Sequence, residues 1–184
     1  MHSITNHILI SMPHMNDPYF KQSVIFMCEH DKNGAMGLII NKPFNDKMIN
    51  DIFYQISDDF DQINDDLSNL YFGGPVYIDR AILLHDKNIY TDKTIKISND
   101  LFISTYKKKL EDISKIINCN YRLFFGHAGW TKGQLENEIS NGDWIFQETS
   151  NEFLFNIPAE QMWRTAIKSL GIEVSNLSGY GGNA

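Results

Sequence analysis

The sequence predicts an α+β fold built on a strongly bent, largely antiparallel sheet. Apolar runs of strand length, rich in β-branched and aromatic residues, arrive in pairs and in short succession. Few helical patterns interrupt them, unlike the strict strand–helix alternation of a parallel α/β fold. The composition is that of a globular chain: 184 residues, 42% hydrophobic, 21% charged and 12% aromatic. A single domain spanning 1–184 is expected, with a core large enough to need no disulfide or metal.

Residues 7–10 (HILI) open as a short apolar strand before a polar loop with Pro13, Asn16, Asp17 and Pro18. Residues 23–30 (SVIFMCEH) read as a buried strand, and residues 35–41 (AMGLIIN) as its partner across Asn33-Gly34. Such a turn places Gly34 at positive φ. Gly37 within the second strand marks a bulge or a close backbone approach.

The period then changes. Met48, Ile52 and Ile56 recur every four residues with Asn45 placed to cap, predicting a helix over 46–56 ahead of an acidic stretch, 58–66. Strands are expected over 70–72, 81–85 and 94–98. A helix from about residue 100 would carry Ile103, Tyr106, Leu110, Ile113 and Ile117. Residues 121–126 (YRLFFG) form another strand, which leads through residues 127–130 into a helix over 131–140, with Gly142 at its end. Residues 143–148 and 152–157 read as a strand pair, and Pro158 opens a last helix that stops before Gly171.

Charge and cysteine content exclude several classes. The net charge is −7, so no strong nucleic-acid signature is present; the one compact basic run, Lys107, Lys108 and Lys109, reads as the solvated side of a helix. Cys28 and Cys119 make no disulfide framework, no signal peptide opens the chain, and no apolar run approaches a membrane span. A cytoplasmic protein is expected.

The stretch Tyr71-Phe72-Gly73-Gly74-Pro75-Val76 ends a strand on two glycines and a proline. It lacks the Gly-Lys-Ser/Thr ending of a Walker loop and the helix-linked Gly-x-Gly-x-x-Gly of a dinucleotide loop, and Pro75 removes an amide donor. A sharp corner that lets backbone or ligand approach closely is the stronger reading. Cys28 and His30, two apart on a strand, would share a face; Val24 and Phe26 on that face make Cys28 a core thiol rather than an activated nucleophile. The six histidines show no metal-binding spacing, and no Gly-x-Ser-x-Gly elbow occurs. No cofactor is called for.

The best local candidate is the strand-to-helix junction. Gly126, Gly129 and Gly133 leave backbone exposed, His127 and Trp130 could line a ligand, and Gln134 and Glu138 lie one turn apart on one face. Gly73, Gly74 and Pro75 with His127, Trp130, Gln134 and Glu138 are therefore the candidate ligand- or partner-binding residues. The two glycine-rich interruptions are expected to adjoin. The alternative is that Trp130 anchors the core and the polar pair is merely solvated.

Five segments stand together in a recognisable order: residues 15–43, YFGGPV at 71–76, DRAILLH at 79–85, GHAGWTKGQLENEI at 126–139 and the closing MWRTAIKSLGIEVSNLSG. In this the chain resembles the YqgE/AlgH family over nearly its whole length. The resemblance implies a bacterial cytosolic protein whose bent sheet closes into a pseudo-barrel with flanking helices. It also implies a link to transcriptional regulation without an established DNA-binding element or reaction. Two departures stand out: His127 replaces the family's usual aromatic residue before Ala-Gly-Trp, and the usual Gly-His-Ala ending is here Gly182-Asn183-Ala184.

The leading functional expectation is a non-enzymatic cytosolic regulatory or interaction protein that contacts a protein or small-molecule partner. The alternatives are a ligand-sensing domain or enzyme using a cleft near Gly73, Gly74, Pro75 and residues 127–130, and a direct DNA-binding regulator. Oligomeric state is not readable.

Overall fold

The computed structural model describes residues 2–44, 69–87, 94–106 and 119–172. The helix expected over 46–56, the acidic stretch, the lysine triplet and the chain beyond 172 lie outside these residues. The described strands are β1 (His7–Ser11), β2 (Val24–Asp31), β3 (Gly34–Ile39), β4 (Leu70–Phe72), β5 (Val76–His85), β6 (Thr94–Lys96), β7 (Phe102–Tyr106), β8 (Tyr121–Thr131) and β9 (Trp144–Glu148). The described helices are α1 (Gln134–Ser140), α2 (Asn151–Asn156) and α3 (Ala159–Ser169).

The strands form one strongly curled sheet, a half-barrel, in the order β6-β7-β5-β8-β3-β2-β1-β9. All neighbours along it are antiparallel, while β4 lies off this path and runs parallel to β8. The architecture is α+β, as the paired strand patterns predict.

The apolar runs of β1 and β2 are continuous because both faces of the sheet are covered. Ile8, Ile10, Val24, Phe26 and Cys28 pack in one buried cluster with Met162, Trp163, Ala166 and Ile167 of α3. Leu9, Ile25 and Met27, the alternate residues of the same strands, pack in a second cluster with Trp130, Leu135 and Trp144. Arg122, 5% exposed, ties the first cluster together: its guanidinium donates to the carbonyls of Ile40 and Ile157 and lies 4.7 Å over the Tyr71 ring. Among the described residues no helix is long and apolar enough to cross a membrane.

Several local expectations are corrected. Residues 102–106 are strand β7, hydrogen-bonded to β5 and β6, rather than the start of a helix. The three-residue spacing of Ile103 and Tyr106 suits a helix, but pairing with two neighbouring strands overrides it. Residues 152–157 are not a strand: α2 forms there because the Ser150 side chain accepts from the Phe153 amide at 3.2 Å and caps it. The helix expected from 131 begins at Gln134, since β8 runs through Thr131 against β3. The hairpin of β2 and β3 pairs Asp31 with Gly34, so its two loop residues are Lys32 and Asn33 rather than Asn33 and Gly34. Gly34 does take positive φ, 150°, and a Cβ there would overlap the Trp130 carbonyl oxygen. Finally, Cys28 and His30 do not share a face. The β2–β3 register slips between Met27 and Glu29, and this bulge at Cys28 turns His30 away. Its Nδ1 instead accepts from the Ile4 amide at 3.1 Å, and its Nε2 lies 3.2 Å from Glu136, on the side of the second cluster.

Candidate functional site

The glycine-rich corner is explained by topology. Residues 123–125 of β8 pair with β4 along one edge and with β5 along the other. A strand has only two edges, so the chain leaving β4 must cross over β8 to enter β5. Gly73, Gly74 and Pro75 make that crossing, at Gly126 and His127. A Cβ on Gly73 would overlap the Gly126 carbonyl oxygen, one on Gly74 the carbonyl carbon of His127, and one on Gly126 the Gly74 carbonyl oxygen. Backbone lies directly on backbone, and Gly74 and Gly126 also take φ of 146° and 70°. Gly73 is fixed by its amide donating to the Phe125 carbonyl and its own carbonyl accepting from the Ile39 amide, both at 2.9 Å.

The structure thus brings Gly73, Gly74 and Pro75 against His127. It separates His127 from Trp130, because β8 alternates. Ala128 and Trp130 point into the second cluster, whereas a Cβ on Gly129 would point at the His127 ring, 3.9 Å from Nε2. The seven candidate residues fall into two groups on opposite faces of one strand.

The Trp130 face is closed. Trp130 is 7% exposed, stacked near Phe20 and edge-on to Trp144 at 6.1 Å. One Glu138 oxygen accepts both indole N–H groups, from Trp130 at 2.8 Å and Trp144 at 2.9 Å. The other accepts from the Gln134 amide at 2.9 Å, and Gln134 in turn accepts from the Thr131 amide and hydroxyl. Gln134 and Glu138 face each other one helical turn apart, as their spacing predicts, and together pin α1 to β8 and β9.

The His127 face is open. After Val76 pairs with His127, β5 bulges before Ala81 pairs with Phe125, so residues 77–80 stand opposite Gly126 alone. Tyr77 in this bulge is 55% exposed and holds φ at 48°, a left-handed value costly for an aromatic residue. Its ring lies 5.8 Å from the His127 ring, and the Arg80 guanidinium carbon sits 4.1 Å over its centroid. Burial, and secondarily the Arg80 charge, hold the His127 imidazole below its ordinary pKa.

Tyr77 carries no local mark in the sequence, and Arg80, although it lies within the DRAILLH segment, carries no sign of a binding role. The available signal is a charged pair, Asp79-Arg80, wedged between the proline corner and the apolar run 81–84. Trp144, the second indole on Glu138, is equally silent, since only the fold brings β9 beside α1.

This geometry sits in a chain with clear relatives. The AlgH-like family model matches residues 8–175. The chain belongs to the AlgH-like family. Among AlgH-like relatives, a UPF0301 protein of Shewanella oneidensis is 37% identical over 188 residues, covering all of both chains. A UPF0301 protein of Vibrio parahaemolyticus is 36% identical, covering 99% of this chain and all of the relative. The solution structure of the AlgH protein from Pseudomonas aeruginosa superposes with a TM-score of 0.71 at 33% identity, covering 98% of this chain and 95% of that one. A crystal structure of a protein from Corynebacterium diphtheriae, at 23% identity and TM-score 0.67, shares the AlgH-like fold over 92% of this chain and 88% of that one.

Proposed function

We propose that this chain works by recognition rather than turnover, as a cytosolic regulatory or interaction protein that binds through the His127 face of β8. The observation that carries this reading is Tyr77: a large exposed aromatic held at φ 48° beneath an arginine that has no carboxylate partner among the described residues. Strained backbone persists where surroundings over-determine it, and it concentrates at ligand clamps and contact sites. Tyrosine and arginine are also the residue types that dominate binding hot spots. Gly73, Gly74 and Pro75 set the floor of this face, while Trp130, Gln134 and Glu138 hold α1 behind it. A link to transcription would then be indirect, through the bound partner. A net charge of −7 disfavours direct DNA binding.

The test is affinity capture from cell extract with the full chain and with Tyr77→Gly and Arg80→Gln. A stoichiometric partner retained by the parent protein and lost from both folded variants supports the reading. A protein that emerges both alone and free of any small ligand, or a partner indifferent to both changes, overturns it. Titration with promoter and random DNA at moderate salt separates the DNA reading: saturable sequence preference would favour it, whereas weak, salt-erased binding is expected.

A further inference from the structure

We propose that the exposed surface formed by His127, Arg80, Tyr77 and Gly129 binds the oxyanion of a small molecule, a phosphate or a carboxylate. The inference rests on the recognition reading and names the chemistry of its ligand.

Arg80 is exposed, and among the described residues its guanidinium has no carboxylate partner and lies over the Tyr77 ring. In a chain carrying seven more acidic than basic charges, a guanidinium with no carboxylate partner among the described residues is an unspent anion donor. Packing over a tyrosine fixes its plane without using its N–H groups, so its fork is pre-organised at little entropic cost.

His127 supplies the second donor. Its ring is half-buried, stands against the same phenol ring as Arg80, and makes no hydrogen bond within the described protein. A neutral imidazole offers one N–H, and a bound anion would let it take up a second proton. Asp79 is the other charged group of the bulge. It is exposed, and it is not among the groups that bear on the imidazole.

Gly129 provides the space. A Cβ there would meet Val76 Cγ2 at 3.7 Å and His127 Nε2 at 3.9 Å, ordinary contact distances. Unlike Gly73, Gly74 and Gly126, it is not required by backbone packing. What the glycine does is leave the volume beside Nε2 open.

The experiment is an NMR titration of the full chain at constant ionic strength with sodium phosphate, sodium acetate and sodium chloride, following the His127 ring, Arg80 and Tyr77. Saturable shifts with phosphate or acetate but not chloride are expected, with the His127 titration midpoint moving upward when the anion is bound. A response to phosphate alone identifies a phosphate ligand, and one to acetate alone a carboxylate. Arg80→Gln, an exposed change that should leave the fold intact, should weaken binding about tenfold. Three results overturn the proposal: no saturable shift with either anion, equal affinity in Arg80→Gln, or shifts confined to other surfaces. If the anions fail while a captured partner still depends on Tyr77, this inference falls and the recognition reading stands.

Discussion

Strand β8 presents two faces within five residues, and they are finished in opposite ways. On one, Trp130 is buried and its indole N–H is bonded to Glu138, which also serves Trp144 and Gln134. Both indole N–H groups and both Glu138 carboxylate oxygens there have partners. On the other, His127 and Arg80 both pack against the Tyr77 ring, and their side chains make no hydrogen bond among the described residues. The difference separates stability from function. Buried polar groups must be satisfied or the fold suffers, while polar groups left free at an ordered, strained surface are available to something else. Substitutions on the two faces should therefore fail differently.

The crossing that creates the open face is the most fragile point. Gly74→Val would drive side-chain atoms into the backbone of His127 and force an unfavourable φ. The expected loss exceeds ~4 kcal/mol, enough to prevent folding of a marginally stable domain. Soluble yield and far-UV circular dichroism measure it. A folded variant with an unchanged urea midpoint would mean that the chain does not cross β8 here.

On the closed face, Glu138→Ala strands two indole N–H groups in a part-buried site. Loss of those bonds should cost about 2–4 kcal/mol, with Glu138→Gln costing less because one acceptor oxygen remains. Denaturant unfolding gives the energy, and tryptophan emission reports the altered indole environment. If Glu138→Ala were neutral while Arg80→Gln unfolded the protein, the assignment of structural and functional faces would be inverted.

Cys28 marks where β2 passes between the two clusters. Its thiol is 4% exposed, and burial pushes its pKa far above the ordinary range. Cys28→Ala should cost about 1–2 kcal/mol as a cavity. Native-state labelling should modify Cys119, which is only partly buried, well before Cys28. Labelling in the reverse order would place Cys28 outside the core.

How far the sequence foretold this arrangement depended on whether the signal was local. The strands at 7–10, 23–30, 70–72 and 121–126 were legible because branched and aromatic side chains repeat there, and α3 because Pro158 and Gly171 bracket it. The adjacency of Gly74 and His127 was also legible, since glycines at strand ends imply close backbone approach. Residues 152–157 misled because Phe153 and Phe155 suggest a strand, while one serine hydroxyl caps a helix instead. The face of His30 was lost to a single bulge, which shifts parity without changing composition. The roles of Tyr77 and Arg80 were invisible for a deeper reason. Their meaning arises from a crossing between segments some fifty residues apart in the chain, and only topology places them over His127.

The smallest expected effect is the most discriminating. Tyr77→Gly removes an exposed ring and its contact with Arg80, a loss of ~0.5–1 kcal/mol at an exposed site. It also relieves a left-handed φ that costs an ordinary residue about 1 kcal/mol, while the added unfolded-state freedom of glycine takes some of that back. These terms nearly cancel, so stability should stay within about 1 kcal/mol of the parent. Tyr77→Ala loses the same ring but keeps a Cβ at φ 48°, and so should be less stable than Tyr77→Gly by roughly 0.5–1 kcal/mol. Thermal or urea unfolding of the three proteins measures that order. If both variants are folded and both lose partner or anion binding, the tyrosine is held in strain for recognition. If Tyr77→Gly instead unfolds the protein as Gly74→Val does, the bulge is a piece of the crossing, and the open face belongs to the fold rather than to a ligand.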